Sequence, residues 1–376
     1  MTSETTTPPT MISADSHVVE PADLWVTRLE PQFRQRAPRI ESLPDGDYQI
    51  TEGVSRRRVS GAEGGMAIVK MAGEAITDRM YRYDEQRPGA GDPMARLADQ
   101  DLDGIEAEVV YPGWLSTFAM PDVDLRVACM RVYNDWIAEF CAVAPHRLVG
   151  AAQLPLFEDR LDLAIAEAQR AEKLGLGAVM LPHGPGFSYD HAEYNPLWEA
   201  LQDLGIPITI HITTGTITAS SHAYPSGTAG HTINITKSKT GISAAAIELL
   251  WGGVPARYPG LRFVMTEGGI GWIAFVLRFM DHWWEDHHRR LSPKLDEPPS
   301  FYFHRQFWAT FEDDRPGILT LPMLNVDHLM WSNDYPHTEG TWPNSARQID
   351  KDMGGLPEPV RRKLVHDNAA ALYGLG

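Results

Sequence analysis

Met11-Ile12-Ser13-Ala14-Asp15-Ser16-His17-Val18-Val19-Glu20-Pro21 is an apolar lead-in that ends in three side chains able to bind a metal. If Met11 to Asp15 is a strand, Asp15 and His17 stand two residues apart on one face and reach the same point just past its end. A carboxylate and an imidazole at that spacing suit a divalent transition metal. Taken alone, the residues also describe an Asp capping a turn beside a surface His. The rest of the chain decides between the two.

After this stretch come about ninety residues without a convincing strand, rich in turn signals such as Pro44-Asp45-Gly46-Asp47 and Gly64-Gly65. They read as a small hairpin-bearing insertion over about 26–95, and its Arg56-Arg57-Arg58 run as a solvated surface feature. Short β-branched strands then alternate with amphipathic helices. Strands are expected near Glu106–Pro112, Leu148–Pro155, Gly177–Pro182, Pro207–Ile212, Leu261–Glu267, Gln306–Phe311 and His328–Asp334. The helical patterns are Asp122–Ala144, Arg160–Lys173, Pro196–Leu204, Ser238–Trp251, Trp272–Arg289, Pro316–Pro322 and Pro359–Tyr373. Counting the first, eight strands alternate with helices, the pattern of a (β/α)8 TIM barrel in the α/β class. The expected organisation is a disordered tail over 1–10 and one catalytic domain over 11–376.

Thirty-three Lys plus Arg against 50 Asp plus Glu give a net charge of −17, which disfavours nucleic acid or an anionic membrane as partner. No apolar run approaches the roughly twenty residues needed to cross a bilayer, and residues 1–10 carry no signal region. Cys129 and Cys141 fall several turns apart in one predicted helix and read as unbonded core thiols. A cytoplasmic protein is expected.

In such a barrel the active site forms at the C-terminal ends of the strands. Those ends carry Asp15 and His17, Tyr111 and Trp114, His183, His211, Glu267, Glu312 and Asp313, and Asp334 and His337. Unpaired charges at the mouth of a core are costly unless an ion compensates them, so Asp15, His17, His211 and Asp334 are the leading metal ligands.

The arrangement resembles the amidohydrolase superfamily, in the branch of aminocarboxymuconate-semialdehyde decarboxylase. The resemblance rests on the Asp-Ser-His-Val opening, Arg96-Leu97-Ala98-Asp99-Gln100-Asp101-Leu102-Asp103-Gly104, Ile210-His211 and Asn333-Asp334-Tyr335-Pro336-His337. It implies that Asp15, His17, His211 and Asp334 ligate a metal. One departure stands out: where the decarboxylases carry a catalytic His after the sixth strand, this chain has Thr266-Glu267-Gly268-Gly269-Ile270-Gly271-Trp272. A Glu brings negative charge where an imidazole would have donated a proton. Together with Glu20 it gives six candidate metal ligands, four of them carboxylates, a set that suits iron or manganese.

With Glu339-Gly340-Thr341-Trp342-Pro343, that departure also resembles the TIM-barrel nonheme diiron monooxygenases of platensimycin and platencin biosynthesis. The resemblance implies an antibiotic-biosynthesis oxidoreductase with two Fe ions that takes O2 and hydroxylates a bulky diterpenoid carried as a coenzyme A thioester. Glu267, Asp334 and His211 are then the catalytic residues. Trp114, Trp272 and Trp342, just beyond strand ends, are candidate substrate contacts, although a Trp in such a place is more often a packing residue. The alternative is a decarboxylase or hydrolase with one Zn or Mn ion. His222 and His231 lie in a Ser/Thr/Gly-rich loop, and His288 falls roughly 25 Å along a helix at ~1.5 Å per residue. Neither they nor His183, Glu312 or His337 receive a role, and a homo-oligomer is left open.

Overall fold

Eight parallel strands neighbour one another in the order in which the chain makes them. β1 is Met11–His17. β2 (Arg39–Leu43), β3 (Gly46–Thr51) and β4 (Ser55–Arg58) form a separate antiparallel sheet. β5 (Ile105–Tyr111), β6 (Leu148–Gln153), β7 (Ala178–Gly184), β8 (Ile208–Gly215), β9 (Phe263–Thr266), β10 (Phe307–Phe311) and β11 (Leu329–Trp331) complete the barrel. The computed structural model describes residues 10–59, 82–215, 228–337 and 340–375. β11 comes back to β1 through side chain and loop: Ser13 Oγ donates to Asn333 Oδ1 at 2.9 Å, and Asp334 N–H donates to the Asp15 carbonyl at 3.1 Å. This is a nearly closed (β/α)8 barrel.

Alternation along the strands separates two apolar layers. Ile12, Ala14, Ala107, Val109, Val149, Ala151, Ala178, Met180, Val264 and Met330 pack inside the barrel. Ile208, Ile210, Ile212, Phe263, Met265, Leu329 and Trp331 face outward into the layer shared with the helices. In β8 the residues between those isoleucines, Thr209 and His211, therefore point inward.

β5, β6, β9 and β11 stop earlier than expected, at Tyr111, Gln153, Thr266 and Trp331. β9 ends because Glu267 takes a φ of 65°, a left-handed turn that cannot continue a ladder, and Asp334, three residues past β11, takes 51°. The helix expected from Ser238 starts at Thr228. The closing segment breaks into Glu358–Arg362, a π turn at Lys363–Asp367, and Asn368–Tyr373. Five helices lie outside the expected pattern: the short Leu24–Arg28 and Val254–Arg257, and the longer Pro93–Asp103, Pro299–Gln306 and Ser345–Met353. Pro93–Asp103 carried full signals: Asp92 accepts from Ala95 N–H as N-cap, Pro93 opens the helix, and Gly104 closes it at φ 75°.

Between β1 and β5, the small sheet leaves Arg56 and Arg57 exposed, with Arg56 3.8 Å from the Tyr48 ring. Cys129 and Cys141 are buried and unbonded, and burial pushes both thiols up to about 12. Residues 1–9, Gly64-Gly65, His222 and Glu339 lie outside the described residues. Among the described residues no helix is long and apolar enough to cross a membrane.

Candidate metal centre

A bulge in β1 aims the first two candidate ligands. Ser13 pairs with Glu108 and Ser16 with Val110, so β1 holds one residue more than β5 over that interval. By strict alternation His17 would share the outward face of Met11. The extra residue re-phases the strand, and His17 instead pairs with Tyr111, whose ring belongs to the barrel interior. Met11–His17 is buried throughout.

His211 comes from β8, across the barrel. Its Nε2 stands 3.2 Å from His17 Nε2. Each ring's other nitrogen is engaged by backbone: His17 Nδ1 with the Pro112 carbonyl at 3.0 Å and His211 Nδ1 with the Ile212 carbonyl at 2.9 Å. A carbonyl only accepts, so each Nδ1 carries hydrogen and each neutral ring presents an Nε2 lone pair to the centre. Two facing lone pairs repel unless a proton or a cation lies between them.

Carboxylates surround this pair. Asp15 Oδ1 is 3.6 Å from both Nε2 atoms, and neither buried Asp15 oxygen accepts a hydrogen bond among the described residues. Glu267 Oε2 is 3.3 Å from His211 Nε2, and Asp334 Oδ1 is 3.6 Å from His17 Nε2. One ligand atom from each of Asp15, His17, His211 and Glu267 falls within 4.8 Å of the others, as do those of His17, Asp334 and His337. His337 stacks on His17 at 4.1 Å and meets Asp334 Oδ1 at 2.8 Å.

The protonation of these groups is set by burial and by neighbours. Burial, then the adjacent His337 and His211, hold His17 well below the usual imidazole value. Burial works the same way on His211, but the Asp15 carboxylate 3.6 Å away, with Glu267 behind it, outweighs it and raises that ring. Burial and the Asp334 charge push Glu267 well above the ordinary carboxyl range.

The backbone pays for this placement with strain, since left-handed φ is uncommon for Glu and Asp. Glu267 N–H donates to Thr310 Oγ1 at 2.8 Å. The next turn is pinned by Asp314 Oδ2, which accepts from Ile270 N–H at 2.5 Å and Gly271 N–H at 2.7 Å. Around β1, Arg96 Nε meets Glu108 at 2.6 Å and Arg96 also donates to the His17 carbonyl at 2.8 Å. Arg96 lies 4.2 Å from the Tyr335 ring, whose hydroxyl donates to Asp99 at 2.6 Å. The Arg96–Gly104 motif thus braces β1, which carries Asp15 and His17, and the turn of Tyr335 beside Asp334.

Glu20 lies apart from the cluster. Its buried carboxylate accepts from Trp114 N–H at 3.1 Å, and burial pushes it up to about 7. The three tryptophans are packed and bonded to protein. Trp114 Nε1 donates to Thr51 Oγ1 and its ring meets Trp25 edge-on; Trp342 Nε1 donates to the Asp99 carbonyl under Arg87; Trp272 Nε1 donates to the Gly269 carbonyl beside Phe303. His183 Nδ1 bonds the Thr214 carbonyl, and His288 stacks on Trp284. The side chain of His231 is not among the described ones.

Sequence reading missed Lys239. Its ammonium lies 3.0 Å from Glu312, whose carboxylate joins those of Glu267 and Asp334 within 4.8 Å. A lone Lys in a polar helix start carried no signal; only the fold points it at the mouth.

The profile of the amidohydrolase family matches residues 53–375. The chain is 26% identical over 317 residues to the gamma-resorcylate decarboxylase of Rhodococcus jostii (strain RHA1), covering 74% of this chain and 87% of that one. A crystal structure of an amidohydrolase from Mycobacterium avium subsp. paratuberculosis K-10 has the same fold, with a TM-score of 0.78 and 18% identity over 99% of this chain and 100% of that chain. The dihydroxybenzoic acid decarboxylase of Polaromonas sp. JS666, with bound manganese and the inhibitor 2-nitroresorcinol, gives a TM-score of 0.64 and 19% identity over 98% and 97% of the two chains.

These relatives overturn the expected iron-dependent oxidoreductase. The Rhodococcus and Polaromonas proteins are decarboxylases, the latter holding manganese, and the expected two Fe ions, O2, coenzyme A thioester and antibiotic-biosynthesis role fall with the monooxygenase reading. The geometry supplies the physical reason. A second cation was expected to offset Glu20 and Glu267, but Glu20 stands outside the ligand groups, its buried carboxylate accepting from Trp114 N–H and raised toward neutrality by burial.

Proposed function

Because the chain belongs to the amidohydrolase family, we propose that it is a decarboxylase of a hydroxylated aromatic acid, working with one Mn or Zn ion at Asp15, His17, His211 and Asp334. The observation that carries this reading is the pair of Nε2 atoms 3.2 Å apart beside an Asp15 carboxylate that accepts no hydrogen bond among the described residues. Two imidazoles and two carboxylates are a fitting donor set for such a dication. When bound, the ion would polarise the acidic oxygens of the substrate. The likeness to gamma-resorcylate decarboxylases supports the reaction and the aromatic acid.

Charge arithmetic assigns Glu267. Asp15 and Asp334 neutralise a dication, so a third ionised carboxylate would leave the buried site with a net negative charge. Glu267 is therefore the group that holds a proton, and it stands where the decarboxylase pattern has its imidazole. It delivers that proton to the ring carbon bearing the substrate carboxylate: the C–H bond forms, the C–C bond breaks, its electron pair returns to the ring, and CO2 leaves. Glu267 is then ionised and takes its next proton from solvent. Burial of the site excludes bulk water during the step.

The test is anaerobic incubation of manganese-loaded protein in D2O with 2,6-dihydroxybenzoate and, separately, 5-carboxyvanillate. Release of CO2 with deuterium at the vacated ring position supports the reading. No CO2 from either acid, under conditions where the metal is bound, would overturn it.

A further inference from the structure

Three successive strands end in carboxylates that converge. Glu267 follows β9, Glu312 follows β10 and Asp334 follows the end of β11, with one ligand atom from each within 4.8 Å of the others. Among the described residues, the Lys or Arg side chain brought to this trio is Lys239, whose Nζ lies 3.0 Å from Glu312 Oε2 and whose side chain is 31% exposed.

The approach of Lys239 is built into the backbone. It lies on the helix Thr228–Trp251, one turn before Ile242, and residues three apart share a helix face. Ile242 is pressed against Gly268, the residue after Glu267: a Cβ on Gly268 would come within 2.2 Å of the Ile242 side chain. Only a residue without a side chain lets the helix come this close to the Glu267 turn. The same turn of helix carries the ammonium to the trio.

An ammonium has three donors, and among the described residues Lys239 uses one, toward Glu312. An anion entering this mouth meets Glu267, Glu312 and Asp334, so each of its acidic groups needs a cation. The ion at the His17–His211 pair serves one of them. We propose that Lys239 is a second anion-binding point, a specificity residue that selects acids carrying two anionic oxygen groups over acids carrying one. This rests on the decarboxylase reading for the nature of the substrate.

Binding, not turnover, tests the proposal, so its outcome is separate from that of the decarboxylase reading. Isophthalate, with two carboxylates, and benzoate, with one, are titrated calorimetrically into manganese-loaded wild-type, Lys239→Met and Lys239→Arg proteins. Loss of one charge-assisted contact is expected to weaken isophthalate about tenfold in Lys239→Met, with benzoate changed less than about twofold. Lys239→Arg should restore most of the isophthalate affinity. Equal weakening of both acids, or no change in either, overturns the proposal. Should Lys239→Met fail to fold, Glu312→Gln decides: freed of its partner, Lys239 should bind isophthalate at least as tightly as in wild type, and weaker isophthalate binding with unchanged benzoate binding overturns the assignment. If wild type discriminates between the two acids yet releases no CO2 from any acid, the decarboxylase reading fails and the anion site stands.

Discussion

His17 and His211, 194 residues apart in the chain, place their Nε2 atoms 3.2 Å from each other while each Nδ1 is held by a backbone carbonyl. The carbonyls fix ring orientation and tautomer before any ligand arrives, which is the usual support of a metal-binding imidazole.

Removing one of these rings should therefore remove the ion. His211→Ala is expected to fold with native circular dichroism yet to drop from about one manganese per chain to well below that, since a catalytic site of this kind relies on few protein ligands. Elemental analysis after dialysis measures it. Full occupancy in the variant would refute the placement of His211 at the ion.

Glu267→Gln separates proton delivery from metal binding. The variant should keep its manganese and lose about 10²–10⁴-fold in kcat, the range for losing a general acid. The acid form of Glu267 exists below its raised pKa, so wild-type activity should fall as pH rises through that pKa. In the variant that alkaline fall should vanish from the residual rate. Loss of the ion instead would make Glu267 a ligand.

Glu20 makes a prediction about stability. Its folded pKa of about 7 lies above the ordinary carboxyl value of about 4.5, so its contribution is fullest below about 4.5 and is lost as pH rises through about 7. Glu20→Gln keeps an oxygen for Trp114 N–H and cannot ionise. At pH 8 it should be more stable than wild type, on the order of 2 kcal/mol in urea unfolding. At pH 4 the difference should close, and manganese content should stay unchanged at both.

Arg96 and Glu108 form a wholly buried ion pair at 2.6 Å. Arg96→Met leaves Glu108 without its charge partner and the His17 carbonyl without a donor. Unfolding should be easier by about 3–5 kcal/mol, whereas the double variant Arg96→Met with Glu108→Leu should recover much of that loss. A single variant as stable as wild type would show that the pair does not brace β1.

The barrel was legible because its signals are local. Ile208, Ile210 and Ile212 alternate with Thr209 and His211, and that pattern alone turns His211 inward, whatever the neighbouring strands do. Strand ends were less legible: left-handed φ at Glu267 cuts β9 with no Gly in its place to announce it, and β11 stops three residues before the left-handed Asp334. The β1 bulge was invisible as well, because a register slip is defined by the partner strand, and without it His17 would share Met11's outward face.

The sequence by itself determined the eight-fold alternation and the residue types at the strand ends, since both follow from the two-residue and 3.6-residue periods of the backbone. Which carboxylates share an ion, which hold a proton and which are satisfied by backbone was decided only by the tertiary structure. Glu20 and Glu267 look alike in the chain, yet one accepts from Trp114 N–H while the other lies 3.3 Å from His211 Nε2. A carboxyl group's charge depends on burial and on neighbours within a few ångströms, and here those neighbours arrive from strands and helices far away in sequence.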